Sequence, residues 1–172
     1  MTTQNMPVLA LRGLTAFPGQ TLSFDAEREI SILALENAME GDRELLLVTQ
    51  REIGVQEPQE EDLYAIGTVC RIFQIVKTSD TGVRVIAGGL PRAAIRRLWQ
   101  TKPFLQANVD LLEDEGWRAT DRTEALTRRI YALFGRYQEL VGNLSDQLVG
   151  SVVDIRVAGA LADTVAANIT LR

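Results

Sequence analysis

Apolar and polar positions divide the chain into a strand-rich first part and a helical second part. In the first part the apolar residues alternate with polar ones or form short continuous runs between turn residues, a pattern typical of β-strands. Turns are predicted at Gly13 and over residues 17–19, and a bend or bulge at Gly88 and Gly89. The strands predicted in this way cover residues 7–11, 21–25, 44–49, 66–76, 83–87, 93–98 and 104–112.

One helix is predicted within the strand-rich part, over residues 29–40. Gly41 follows it at the position where a helix commonly ends. Its apolar residues recur at helical spacing, which predicts a face packed on the sheet. The predicted face consists of Ile30, Leu33, Ala34 and Ala38, widened by Leu35 and Met39.

The second part has the apolar spacing of helices that pack on one another. Asp121 is predicted to cap the first helix, with Glu124 three residues later completing a capping box. The apolar seam of this helix, spaced by about four and three residues in turn, consists of Leu126, Ile130, Leu133, Tyr137 and Leu140. Further helices are predicted over 145–153 and 156–168, and their thin core suggests that the helical part normally continues beyond Arg172.

Together these elements predict an α+β protein with two domains. The first, residues 1–117, is a small, strongly curved β-sheet or partly closed barrel with one packed helix. The second, residues 118–172, is the start of an α-helical bundle, truncated at its C-terminal end. A length of 172 residues and a hydrophobic fraction of 46% suit a globular core. No stretch has the length and apolarity needed to cross a bilayer.

Composition excludes several classes of chemistry within the chain. It contains no histidine and one cysteine, Cys70, which excludes His-dependent nucleophilic catalysis, an internal disulfide and a structural zinc site. A net charge of −5 argues against binding to a nucleic-acid backbone. With one thiol and no secretory signal, the predicted location is the cytoplasm.

Motifs for catalysis or cofactor binding are also missing from the sequence. No Gly-rich phosphate-binding pattern is present. Lys77 and Lys102 are the only lysines, and neither has the surroundings expected of a catalytic Ser–Lys pair. The acidic segment 52–62 lacks the spacing of a calcium loop. No catalytic residue, metal site or cofactor is therefore predicted for this chain.

Two groups of residues are candidates for binding. Apolar side chains at turns and strand ends are hard to bury, so they form either an exposed binding patch or plugs at the ends of the barrel. This first group consists of Phe17, Pro18, Leu22, Ile75 and Val76. A local positive patch either contacts a polyanion or balances the acidic loop. This second group consists of Arg92, Arg96, Arg97 and Lys102.

Six short motifs follow one another at defined distances along the chain. They are PVLALR at 7–12, FPG at 17–19, DLY at 62–64, IGT at 66–68, GLPR at 89–92 and LADTVA at 161–166. In order and spacing this set resembles the N-terminal domain of the ATP-dependent Lon protease, from about Met6 to the end of the chain. Ala10 is a mild departure, since the family usually has a proline there.

This resemblance implies a fold and a function. The fold would be a PUA-like β-rich lobe followed by a helical bundle. The chain would be a non-catalytic part of a larger protease that recognises exposed hydrophobic segments of unfolded or damaged proteins. Separate downstream domains would hydrolyse ATP with magnesium and cut peptide bonds with a Ser–Lys pair, and the full-length protein would form a homo-oligomeric ring.

Two alternative functions stay open at this point. The chain could be a PUA-like module that binds RNA or another polyanion through the positive patch, in which case its affinity should fall steeply with salt. It could instead be a stand-alone regulatory domain whose parent gene encodes no protease. The sequence that follows Arg172 would distinguish this second alternative.

Overall fold

The computed structural model describes residues 3–112, 120–142, 150, 152 and 154–169. The chain divides into two units, Met1–Glu113 and Asp114–Arg172. The domain boundary predicted after residue 117 lies outside the described residues.

In the described part of the first unit, six strands form one mixed sheet. Their order is β2-β5-β4-β3-β1-β6. Because β5 also pairs with β6, the five strands β5, β4, β3, β1 and β6 form a continuous cycle of paired strands. β1 and β3 are parallel, while the other paired strands are antiparallel. The strands are β1 Thr3–Leu11, β2 Thr21–Ala26, β3 Glu44–Thr49, β4 Ile66–Lys77, β5 Val83–Gln100 and β6 Leu105–Leu111.

β3 is buried on both faces, as its continuous apolar run predicts. Leu45 and Leu47 belong to a core cluster that also contains Leu35 of the helix. Leu46 and Val48 point the other way, into a cluster formed with residues of β1, β5 and β6. Successive side chains of a strand alternate between its faces, so this short strand supplies both cores of the unit.

The strands predicted over 83–87 and 93–98 are one strand, β5, so the prediction of two separate strands was wrong. Gly88 and Gly89 lie within β5, and the predicted bend or bulge corresponds to two shifts in the register between β5 and β4. One shift places an extra residue in β5 between Gly89 and Arg92, and the other places Phe73 as an extra residue in β4. Bulges of this kind bend a strand without ending it.

The helix α1, Glu29–Glu40, has the predicted bounds and packs near β1 and β3. Its buried residues are Ser31, Ala34, Leu35 and Ala38. The buried face is therefore centred on Ala34 and Leu35, whereas the predicted face member Met39 is exposed. Small side chains on this face let the helix approach the sheet closely.

The second unit contains α2, Asp121–Val141, and α3, Ala158–Asn168. The cap of α2 is Thr120, whose hydroxyl accepts a hydrogen bond from the Thr123 N–H at 3.2 Å, and not the predicted Asp121. A hydroxyl at the N-cap satisfies a helix donor as well as a carboxylate does, so the sequence allowed either register. The helix predicted over 145–153 falls largely outside the described residues.

The buried face of α2 is centred on Phe134, which packs with Val152 and Leu161. Ile130 and Tyr137 of the predicted seam are partly buried beside this cluster. The other predicted seam residues, Leu126, Leu133 and Leu140, are exposed, so only part of the predicted seam belongs to the buried face. The PUA-like lobe and the start of a helical bundle stay predictions.

Candidate functional site

The five predicted apolar candidates do not share one surface. Leu22 on β2 and Ile75 on β4 are partly buried and pack against the core cluster that contains Leu35. Val76 is exposed and pairs with Arg84, on the face opposite to Ile75. Phe17 and Pro18 lie in a loop beside β5, separate from Val76.

This loop is held against β5 by backbone contacts. The Gly19 N–H donates to the Gly89 carbonyl at 2.9 Å, and the Gly89 N–H donates to the Gln20 carbonyl at 2.8 Å. A Cβ added at Gly89 would lie 2.1 Å from the Phe17 carbonyl oxygen, so only glycine admits this approach. The FPG and GLPR motifs therefore form two sides of one contact.

A groove opens between this loop and the start of β4. Its wide part has a volume of about 570 Å³ and is lined by Thr15, Thr49, Arg51, Tyr64, Ala65 and Ile66. It continues into a small inner pocket of about 70 Å³, where Phe17, Gly67, Thr68 and Arg92 also contribute. We call the two together the Tyr64 groove. Tyr64 is 48% exposed and Ile66 51% exposed, so its wall is an apolar surface open to solvent.

The DLY motif explains how Tyr64 is presented. An Asp62 carboxylate oxygen accepts from the Gln59 N–H at 2.8 Å and caps a short 3-10 turn, Glu60–Asp62. Leu63 is buried in the core, and the Tyr64 N–H donates to the Thr49 carbonyl at 3.1 Å. Because Leu63 points inward, the neighbouring Tyr64 points outward.

The IGT motif anchors the part of the groove that follows Tyr64 in the chain. A Cβ at Gly67 would lie 2.6 Å from the Leu47 carbonyl oxygen, so the backbone packs directly on β3 at this point. The buried Thr68 hydroxyl donates to the Ala16 carbonyl at 2.8 Å. Ile66 precedes these anchors and remains exposed, so it is held in place by its neighbours.

A cation lies at the rim of the groove. The guanidinium of Arg51 is 4.7 Å from the ring centroid of Tyr64, and its Nε–H donates to the Leu63 carbonyl at 3.0 Å. A guanidinium over an aromatic face is favourable and restrains both groups. Arg92 lines the inner pocket.

The acidic segment before Tyr64 is fastened to the sheet by two arginines. Arg12 donates from Nη2 to the Val55 carbonyl at 3.0 Å. Arg28 donates from Nη1 to the Gln56 carbonyl at 3.5 Å and from Nη2 to the Ala10 carbonyl of β1. Burial, and secondarily the charge of Arg12, lower the pKa of Arg28 from its usual value. These contacts support a structural role for both arginines.

Sequence reasoning missed Tyr64 and Ile66 as site residues. Both stand in motifs that carry the family resemblance, so a signal for them was present. A third missed residue is Phe73, which is 58% exposed. Its ring lies over Gly88, where an added Cβ would be 2.4 Å from the ring. The bulge in β4 turns Phe73 outward onto a surface apart from the groove.

Among the described residues, Arg96 and Lys102 of the predicted positive patch have carboxylate partners. Arg96 is ion-paired with Asp110, and Lys102 Nζ lies 3.0 Å from a Glu57 oxygen. Arg97 is exposed, and Arg92 lines the inner pocket. The patch therefore carries less unpaired charge than its composition indicates, and its role stays a prediction.

Two further properties concern the described residues as a whole. They contain no group of three or more His, Cys, Asp or Glu side chains placed to hold a metal ion. They also contain no helix long and apolar enough to cross a membrane.

Comparisons with known proteins identify what the chain is similar to. Residues 5–172 match the family described as the ATP-dependent protease La (LON) substrate-binding domain. The Lon protease of Brevibacillus choshinensis is 37% identical over 169 residues, covering 98% of this chain and 22% of that protein. Lon protease 1 of Bacillus subtilis is 32% identical over 169 residues, with coverage of 98% and 22%. The chain thus spans about a fifth of the length of these relatives.

Solved structures show the same fold. The N-terminal domain of the Mycobacterium avium complex Lon protease superposes with a TM-score of 0.77 at 20% identity, covering 98% of this chain and 85% of that one. The Lon N-terminal domain protein of Xanthomonas campestris gives a TM-score of 0.57 at 14% identity, covering 97% and 99%.

Proposed function

The chain belongs to the substrate-binding domain family of the ATP-dependent protease La (LON), and from this premise we propose that its Tyr64 groove binds exposed apolar segments of unfolded or damaged proteins. Members of this family are non-catalytic parts of Lon proteases. In the proposed mechanism the captured segment is delivered to the ATPase and protease domains of the parent protein.

The observation that carries the proposal is the pair Tyr64 and Ile66, each about half exposed on a groove of about 570 Å³. Ligand-binding pockets commonly have volumes of about 300–1,000 Å³, so the groove has room for one or two side chains of an extended segment. Covering the remaining exposed half of either side chain contributes about 1 kcal/mol. Such a contact is weak and tolerant of sequence, as capture of many different unfolded proteins requires.

Of the predicted apolar candidates, Phe17 belongs to this groove, because it lines the inner pocket. Pro18 follows in the same turn. Val76 and Phe73 are exposed outside the groove, and we propose them as secondary contacts only. Leu22 and Ile75 pack against the core, so we assign them mainly to stability.

The remaining parts of the proposal concern the whole protein. We place this chain in a cytoplasmic, homo-oligomeric ring whose other domains use ATP and magnesium and a Ser–Lys pair. In a ring, several weak grooves act on one unfolded chain, and their combined avidity exceeds the affinity of each.

The direct test is binding of a reduced, unfolded protein, with its native form as comparison. Tyr64→Ser and Ile66→Ser should each weaken binding of the unfolded form about fivefold, the equivalent of about 1 kcal/mol. Ile53→Ser is the matched control, because Ile53 is 62% exposed but does not line the groove. Equal losses in all three variants, or no loss in any, would contradict the groove as the binding site.

The same assay addresses the polyanion alternative. RNA binding that falls steeply with salt, together with indifference to unfolded protein, would favour a polyanion-binding module. Substitution of Arg97, an exposed member of the patch that forms no ion pair with a described residue, would then reduce RNA affinity.

A further inference from the structure

The Tyr64 groove differs in charge from the rest of the chain. The sequence carries a net charge of −5, yet the described residues that line the groove include two arginines and no aspartate or glutamate. Arg51 stands at the rim and Arg92 at the inner pocket. Arg51 therefore places a positive charge at the apolar rim of the groove, on a protein that is acidic overall.

Arg51 is held so that its charge remains available. Its Nε–H donates to the Leu63 carbonyl, and its guanidinium group lies over the Tyr64 ring. Arg51 is exposed and forms no ion pair with a described residue. A guanidinium restrained in this way loses little further freedom when a carboxylate binds it.

The described carboxylates nearest to Arg51 along the chain do not pair with it. Asp62 accepts from the Gln59 N–H, and Glu60 accepts from the Leu98 N–H at 2.7 Å. Glu52 and Glu61 are exposed but do not line the groove. None of these side chains therefore forms the contact with Arg51 that a ligand carboxylate would make.

We infer that the Tyr64 groove selects apolar segments that carry an aspartate or glutamate beside the apolar side chain, and discriminates against segments flanked by lysine or arginine. This inference rests on the proposed function, because it describes which segments the same groove prefers. The apolar side chain covers Tyr64 and Ile66, while the neighbouring carboxylate reaches Arg51. Charge complementarity of this kind contributes mainly selectivity, since like charges at the rim are disfavoured.

The test uses three peptides with the same Phe-Leu core, acetylated and amidated so that no terminal charge remains. Their flanking residues are two aspartates, two serines or two lysines. The wild-type chain should bind them in that order, with about a tenfold difference between the aspartate and lysine peptides at low salt. The difference should shrink as salt is added, because exposed charges are screened.

Variants of Arg51 locate the effect. Arg51→Gln should remove most of the preference for the aspartate peptide, and Arg51→Glu should reverse the order of the aspartate and lysine peptides. Arg71→Gln is the control, because Arg71 is an exposed arginine paired with Glu44 away from the groove. It should leave the order unchanged.

The outcomes distinguish failure of the charge preference from failure of the proposed binding of apolar segments. If all three peptides bind the wild-type chain equally and lose affinity in Ile66→Ser, the groove binds apolar segments but the charge preference is wrong. If no peptide binds, both proposals fail. If the order persists in Arg51→Glu, the preference does not arise at Arg51 and the inference is overturned.

Discussion

Replacing Gly89 by alanine should destabilise the first unit by far more than the same change at the neighbouring Gly88. A Cβ at Gly89 would lie 2.1 Å from the Phe17 carbonyl oxygen and 2.9 Å from its carbon, both backbone atoms. The loop must then move away from β5, which breaks the two backbone hydrogen bonds that Gly89 shares with Gly19 and Gln20.

The magnitude follows from these contacts. Overpacking of a tight contact costs about 1–3 kcal/mol, and each lost hydrogen bond costs about 1 kcal/mol. Alanine recovers about 0.4–1 kcal/mol because it has fewer unfolded conformations than glycine. The net expectation for Gly89→Ala is a loss of about 3 kcal/mol in the free energy of unfolding.

Gly88→Ala is the matched control. The atoms its Cβ would meet belong to the ring of Phe73, which is exposed and can rotate away. We expect a loss of about 1 kcal/mol or less, since only a side-chain contact is disturbed. Urea unfolding followed by far-ultraviolet circular dichroism measures both. Similar losses in the two variants, or a loss below about 1 kcal/mol for Gly89→Ala, would refute the tight backbone contact.

Three further predictions concern the core, the thiol and an ion pair. Leu35→Ala should lower the free energy of unfolding by about 2–5 kcal/mol, while Met39→Ala on the exposed side of the same helix should change it by less than about 0.5 kcal/mol, measured by urea denaturation. Burial raises the pKa of the Cys70 thiol to about 12, so alkylation near neutral pH should follow global unfolding, and rapid labelling of the folded chain would contradict this. The hydrogen bond from Arg84 lowers the pKa of Asp25. The ion pair therefore stabilises the fold at neutral pH, and this stabilisation is lost as the pH falls through the lowered pKa of Asp25. NMR titration of the Asp25 carboxyl group should show a higher pKa in Arg84→Gln.

The elements that the sequence predicted well are those specified by local pattern. The bounds of α1 and the double burial of β3 follow from apolar spacing over about a dozen residues or fewer. β5 was predicted as two strands because the glycine pair is a break signal when taken alone. The continuity of β5 depends on its pairing with β4, and pairing between two strands is not encoded in the residue pattern of either strand alone.

The face of α2 shows the same limit. Leu126, Leu133 and Leu140 have helical spacing as regular as that of the buried residues. The packed face is chosen by contacts of Phe134 with Val152 and Leu161, which are distant in sequence. Tertiary packing thus decides which side of one broad apolar stripe is buried, and helical periodicity alone does not distinguish the two sides.

The candidate site was predicted only in part. Phe17 was recognised because an apolar residue beside a Pro-Gly turn is difficult to bury. Tyr64 was not predicted as a binding residue, since neither the burial of Leu63 nor the approach of Thr49 has a local signature in the sequence. The groove arises where the ends of β3 and β4 separate, and that geometry exists only in the folded sheet.

The most direct test of the account is the chemical-shift map of the isotope-labelled chain when an unfolded apolar peptide is added. We expect the largest amide shifts at Thr15, Thr49, Tyr64 and Ile66, and Ile66→Ser should weaken them. Shifts concentrated instead around Phe73 and Val76, with the groove unaffected, would contradict the central claim that the Tyr64 groove is where this domain binds its substrates.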